Sequence, residues 1–171
     1  MADHQSPLPL ILILALLATP ALALEPVPPP EHYVHETLDQ LHDAAAKADG
    51  RRYFALYAKN AVYIGTDAAE RWTLTEFRAF AEPYFAQGKG WTYKPRERHV
   101  TVHACACVAW FDELLDSESY GTSRGTGVMV LEDGYWKVAQ YALTFPIPND
   151  LAKGMTAEIK AFEARAKQEQ K

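Results

Sequence analysis

The stretch VAWFDELLD, residues 108–116, decides how this chain folds. Val108, Trp110 and Leu114 alternate with Ala109, Phe111 and Leu115, so a strand over these residues is apolar on both faces and needs a layer against each. Asp112 and Glu113 stand side by side in it, and the period of two sends one carboxylate to each side. An ionised carboxylate is costly to bury without a partner, so at least one of the two requires a cation, hydrogen-bond donors or a wet cavity.

Downstream of this strand the period stays at two. GTSRGTGVMVL (121–131) and YWKVAQYALTF (135–145) read as strands joined at Glu132-Asp133-Gly134, a hairpin turn signal. Upstream, Arg98 to Val102 is a further extended segment. Four strands in succession make an antiparallel meander. The first half is instead helical: Val34, Leu38, Leu41, Ala45 and Ala48 recur at helical spacing, with Gly50 placed to end the helix. A second helix, RRYFALYA, has Asp49 as its N-cap, and AVYIG (61–65) reads as a short strand. Thr73 and Glu76 have capping-box spacing before LTEFRAFAEPYFAQG, a third helix bent at Pro83 and closed by Gly88. Helices gathered ahead of a meander describe an α+β layer fold. After Pro146 and Pro148, Asp150 is placed to cap a last helix with the stripe Leu151, Met155, Ile159, Phe162 and Ala166.

The 171 residues begin with a segment that stands apart from this fold. LILILALLA (10–18) is too short to span a bilayer, and Ala21-Leu22-Ala23 has the form of a secretory cleavage site. A signal peptide over residues 1–23, cut after Ala23, is expected, with a periplasmic or secreted product that keeps no membrane span. The n-region has no Lys or Arg, so the alternative is an uncleaved membrane anchor. No cysteine follows the cut to carry a lipid. Residues 24–31 read as a proline-rich tether, 32–148 as the domain and 149–171 as the C-terminal helix. Removal of the segment, whose only charge is Asp3, changes the net charge of −5 by a single unit. The chain stays mildly acidic and has no basic run, which excludes an electrostatic footprint for nucleic acid.

In this order the pieces ALYAKNAVYIGTDA, HVTV followed by AWFDE, and DGYWKVAQYALTFPIP resemble the nuclear transport factor 2-like superfamily over about residues 33–147. Within it they resemble the SnoaL-like group and the association domain of calcium/calmodulin-dependent kinase. The ending W-K-V-x-x-x-A-x-T is similar to the W-x-x-x-H-x-H-x-S that closes the kinase domain, with Gln140, Ala142 and Thr144 in place of the histidines and serine. The resemblance implies a cone: a curved antiparallel sheet wrapped around the N-terminal helices, a pocket at its wide end, and an outer sheet face that pairs two subunits as a homodimer. It also implies, from AWFD, that Asp112 points into the pocket.

On that reading Arg124, on the next strand, is the cation to pair with Asp112. Two roles follow: a structural Asp–Arg pair, or a general base or polar anchor for a small organic ligand, walled by Tyr63, Trp72 and Trp110 with Gln140 nearby. The steroid-isomerase branch of the superfamily uses a Tyr on the first helix and an Asp at the end of the first strand. Leu41 and Gly65 stand in those places, and neither can do that chemistry; Asp67 lies two residues beyond. The expected function is therefore a small-molecule-binding domain without catalysis. The alternative is an isomerase, cyclase or hydratase acting through one buried carboxylate.

Three smaller groups complete the sequence-based expectations. His35, Asp39 and His42 share a helix face that could hold zinc but reads better as a solvated face, so no metal and no cofactor are expected. His99 and His103 share a strand face as ordinary surface residues. Cys105 and Cys107, too few and too close for a disulfide framework, fall at a hairpin turn where a short reducible bridge or a soft-metal site is conceivable; ordinary thiols are expected.

Overall fold

A computed structural model of the protein describes residues 27–169. The expected signal segment, its cleavage site and the first residues of the tether lie outside the described residues. The first helix, α1 (Pro30–Ala46), starts two residues earlier than the periodicity suggested, because proline at the first helical position sacrifices no hydrogen bond. Its stripe Val34, Leu38, Leu41, Ala44 and Ala45 is buried. Ala48, with φ of 52°, turns the chain out of α1, and Gly50, expected to do so, is instead the first residue of α2 (Gly50–Ala55). Asp49 caps α2 by accepting from the Arg52 amide at 3.0 Å.

Strand β1 (Tyr57–Ile64) follows, then a three-residue strand β2 (Arg71–Thr73) that composition did not reveal. Helix α3 (Leu74–Phe85) carries the expected capping box, with Thr73 Oγ1 accepting from the Glu76 amide and the Glu76 carboxylate accepting from the Thr73 amide. The meander is β3 (Lys94–Val102), β4 (Val108–Ser117), β5 (Gly121–Glu132) and β6 (Tyr135–Thr144). Asp133 and Gly134, at φ of 52° and 82°, form the β5–β6 turn that Asp-Gly predicts.

The six strands form one sheet in the order β2-β1-β6-β5-β4-β3, with every pairing antiparallel except that of β1 with β6. Register slips at Pro95–Glu97, at Tyr57–Val62 and at Val128–Met129 curl this sheet around the helices. Its inner face and the stripe of α1 form one core in which Leu38, Leu115, Met129 and Val138 are fully buried. Each such side chain contributes about 1.5–3 kcal/mol relative to exposure.

Helix α4 (Asn149–Glu169) buries none of its side chains. Asp150 lies in its first turn, and Leu151, Met155, Ile159 and Phe162 are exposed along the stripe. None of the described helices is long and apolar enough to cross a membrane.

Candidate functional site

Parity along β4 settles which acid faces inward. Ala109, Phe111, Glu113 and Leu115 are buried, whereas Trp110, Asp112 and Asp116 are exposed. Glu113 keeps 1 % of its surface in contact with solvent, and the sequence-based expectation for Asp112 is reversed. The reason is register: Asp112 shares its face with Trp110, while Glu113 shares its face with the residues that pack on α1. The hairpin through the Cys105–Cys107 turn pairs Arg98 with Glu113 and His99 with Asp112. Asp112 meets Thr126 on the other side, and Arg124, opposite Leu114, is an exposed outer-face residue with no contact to the buried carboxylate. The cation sought on the following strand was on the preceding one.

Both oxygens of Glu113 are engaged. Oε2 accepts from Arg98 Nε at 2.8 Å, and Oε1 accepts from the Tyr141 hydroxyl at 2.8 Å, with His42 Nε2 also 2.8 Å away. Burial pushes the Glu113 carboxyl up, but the His42 and Arg98 contacts outweigh it and hold the group below the ordinary carboxylate range. With the carboxylate ionised, only an Nε2–H on His42 satisfies that contact. Burial, reinforced by the adjacent Glu113 charge, raises Tyr141 well above an ordinary phenol, so it stays a donor. Gly125, opposite Glu113, makes the contact possible: a Cβ there would run into the Tyr141 hydroxyl and approach Glu113 Oε1.

The helix face expected to be solvated is the face that closes over this cluster. His42 binds Glu113, while Asp39 Oδ1 and the His35 carbonyl accept from Arg98 Nη1 at 2.8 and 3.2 Å. Among the described residues no group of three His, Cys, Asp or Glu side chains is arranged to hold a metal. The signal that could have found the cluster was the hairpin register, which places Arg98 beside Glu113.

Above the cluster, an inner row crosses the whole sheet in register: Val100, Phe111, Gly127, Tyr141, Tyr63 and Trp72. Tyr63 stacks on Phe77 at 3.8 Å between ring centres, and Trp72 stacks on Phe80 at 4.8 Å. Tyr63, Trp91, Tyr93 and Leu143 line two neighbouring spaces. The inner one, about 20 Å³, reaches His42 and Tyr141 and has room for one water-sized group. The outer one, about 210 Å³, opens between Trp72, Phe80, Tyr120 and Phe145. The interior of the cone is thus mostly filled by aromatic rings, with a shallow mouth above a narrow floor.

Of the residues singled out from sequence, Tyr63 and Trp72 line this mouth. Trp110 (48 % exposed), Asp112, Arg124 and Gln140 lie on the outer face instead. Trp110, Val128, Gln140 and Val62 make a row across that face. Sequence reasoning missed Arg98 and Tyr141, took His42 only as part of a solvated helix face, and placed Glu113 behind Asp112. A separate groove of about 810 Å³, lined by Pro30, Tyr33, Leu131, Tyr135 and Trp136, contains none of the expected site residues.

Cys105 and Cys107 are joined in a disulfide, with Cα atoms 5.2 Å apart, where thiols were expected. Ala106 between them adopts φ of 51°, and its amide donates to the His103 carbonyl at 2.8 Å. That turn brings the two side chains together, which extended backbone would not.

A family model described as a SnoaL-like domain matches residues 34–148. Several solved structures share the architecture. An NTF2-like protein of unknown function from Pseudomonas putida KT2440 is 18% identical, over 70% of this chain and 88% of that one, with a TM-score of 0.59. An NTF2-like protein from Streptomyces avermitilis, provisionally described as a dehydratase, is 12% identical over 70% and 97% of the two chains, with a TM-score of 0.60. A Xanthomonas campestris protein provisionally described as a calcium/calmodulin dependent protein kinase II association domain is 18% identical over 68% and 86%, with a TM-score of 0.51. At these identities the likeness carries the fold alone. No curated protein gives a significant match.

Proposed function

Because the chain belongs to the SnoaL-like domain family, with a nuclear transport factor 2-like fold, we propose that it is a binding domain for one small, ring-bearing organic molecule seated in the aromatic mouth. The observation that carries this reading is the row Tyr141, Tyr63 and Trp72, which offers π-faces at the mouth and polar groups at the floor. The mouth is smaller than drug-sized pockets, which fits a single ring better than a fused polycycle. Glu113 is an anchor of the scaffold in this reading. Three hydrogen-bond partners already hold its two oxygens and it is 1 % exposed, which is not the placement of a poised base.

The test is tryptophan fluorescence of the folded protein against a panel of phenols, benzoates and small heteroaromatics, with Trp72→Ala as the control. Saturable quenching that Trp72→Ala weakens at least about tenfold supports the mouth as the site. Quenching that the substitution leaves unchanged places any ligand elsewhere and sinks the reading.

One observation favours an isomerase, cyclase or hydratase instead. His42 sits at the floor with its Nε2–H held by a buried carboxylate, so Nδ1 is the group to receive a proton. Turnover of any bound ring compound that His42→Gln abolishes, with binding retained, decides for the enzyme.

Export and homodimerisation belong to the same proposal. The apolar segment before Ala23 and the Cys105–Cys107 disulfide support an oxidising destination. The exposed Trp110 in the outer row of the sheet supports a second subunit there.

A further inference from the structure

The Cys105–Cys107 pair lies at the exposed β3–β4 turn, away from the aromatic mouth, and its surroundings treat the two sulfurs differently. Cys105 Sγ lies 3.2 Å from His103 Nδ1, which accepts from the Cys105 amide at 3.3 Å, and Sγ itself accepts from the Cys107 amide at 3.3 Å. No polar group is placed on Cys107 Sγ among the described residues. Residues 103 to 107 are all exposed, so an incoming molecule reaches the bridge without any part of the fold opening. Ala106 holds a left-handed backbone that a side-chain-bearing residue rarely adopts, and opening the bridge frees it to relax.

We propose that this disulfide is a thiol–disulfide exchange site that accepts thiols at Cys107 and releases Cys105 as the leaving thiolate. The incoming thiolate forms a bond to Cys107 Sγ. The Sγ–Sγ bond breaks, and its electron pair leaves on Cys105, where the Cys107 amide N–H receives the charge. A second substrate thiolate then attacks the substrate sulfur of the mixed disulfide and displaces Cys107. Two substrate thiols lose two electrons and two protons to become one disulfide, and the cysteine pair takes them up as two thiols. A substrate disulfide runs the same steps backward and restores the bridge. The substrate chemistry is a thiol or disulfide, carried either by a small molecule or by an unfolded polypeptide. The site is independent of the aromatic mouth, so neither proposal depends on the other.

The experiment exposes the full-length oxidised protein to reduced glutathione in one arm and to a reduced two-cysteine peptide in the other. Samples are acid-quenched and alkylated over time, and the adducts are located by mass spectrometry. The expected result is a transient adduct on Cys107, followed by the dithiol form. In the reduced protein, Cys105 alkylates about tenfold faster than Cys107 at neutral pH. Exchange with glutathione alone identifies small thiols as the substrates, and exchange in the peptide arm identifies protein thiols. A bridge that survives both arms overturns the proposal, and so does an adduct carried mainly on Cys105.

Discussion

The Tyr141 hydroxyl reaches Glu113 Oε1 at 2.8 Å across the backbone of Gly125, on the strand between them. The contact exists because position 125 has no side chain. Gly125→Ala is therefore expected to cost about 1–3 kcal/mol through overpacking beside a buried hydrogen bond. Urea unfolding of the variant checks it, with Gly154→Ala, where an added Cβ meets nothing and favours the helix, as a comparison that should not destabilise.

The two adjacent acids of β4 should respond very differently to loss of charge. Glu113→Gln strands the buried Arg98 guanidinium, whose other ion pair is with the exposed Asp39, and is expected to cost about 3–5 kcal/mol. Asp112→Asn, exposed on the outer face, should stay within about 0.5 kcal/mol and leave ligand binding unchanged. Equal effects in parallel denaturation curves would contradict the placement of Glu113 inside and Asp112 outside.

Acid stability follows from the same cluster. The folded-state carboxyl of Glu113 lies below its unfolded value, so the stabilisation is complete above the unfolded value of about 4.3 and is lost as pH falls through the lower folded value. Thermal melts from pH 6 to pH 3 should show a drop in Tm beginning below about pH 4.3. The drop should be smaller in a Glu113→Leu/Arg98→Met double variant, which has no charge pair to lose.

If the outer face joins two subunits, Trp110→Glu should shift the protein to monomers in analytical ultracentrifugation without lowering its unfolding midpoint in the monomeric state. A wild-type protein that sediments as a monomer at the highest attainable concentration removes the dimer from the proposal.

Local signals carried much of the fold. Thr73 and Glu76, Asp49, and Asp133-Gly134 are short-range devices whose chemistry is complete within four residues, and each appears where its spacing put it. The strand β2 and the parallel neighbour of β1 were not legible, because pairing partners distant in sequence leave no local mark. The site was legible in kind but not in identity. One buried acid and an aromatic wall followed from VAWFDELLD and from composition. Choosing between Asp112 and Glu113 needed the register of a hairpin whose turn residues are neither glycine nor asparagine. The disulfide was set aside in favour of thiols for the same reason, since Ala106 gives no hint in sequence of its left-handed backbone.

The parallel pairing of β1 with β6 also sets the order in which the molecule can assemble. Val62 bonds beside Gln140, so β1 waits for almost the entire domain to be synthesised before its second edge is covered. The meander can zip from one hairpin to the next, each closing a short loop, but the final seam closes the longest loop in the sheet. From loop length, that seam is the expected rate-limiting step of refolding. Substitutions along it should slow the refolding limb of a chevron plot, whereas substitutions at the β3–β4 turn should act mainly on the unfolding limb.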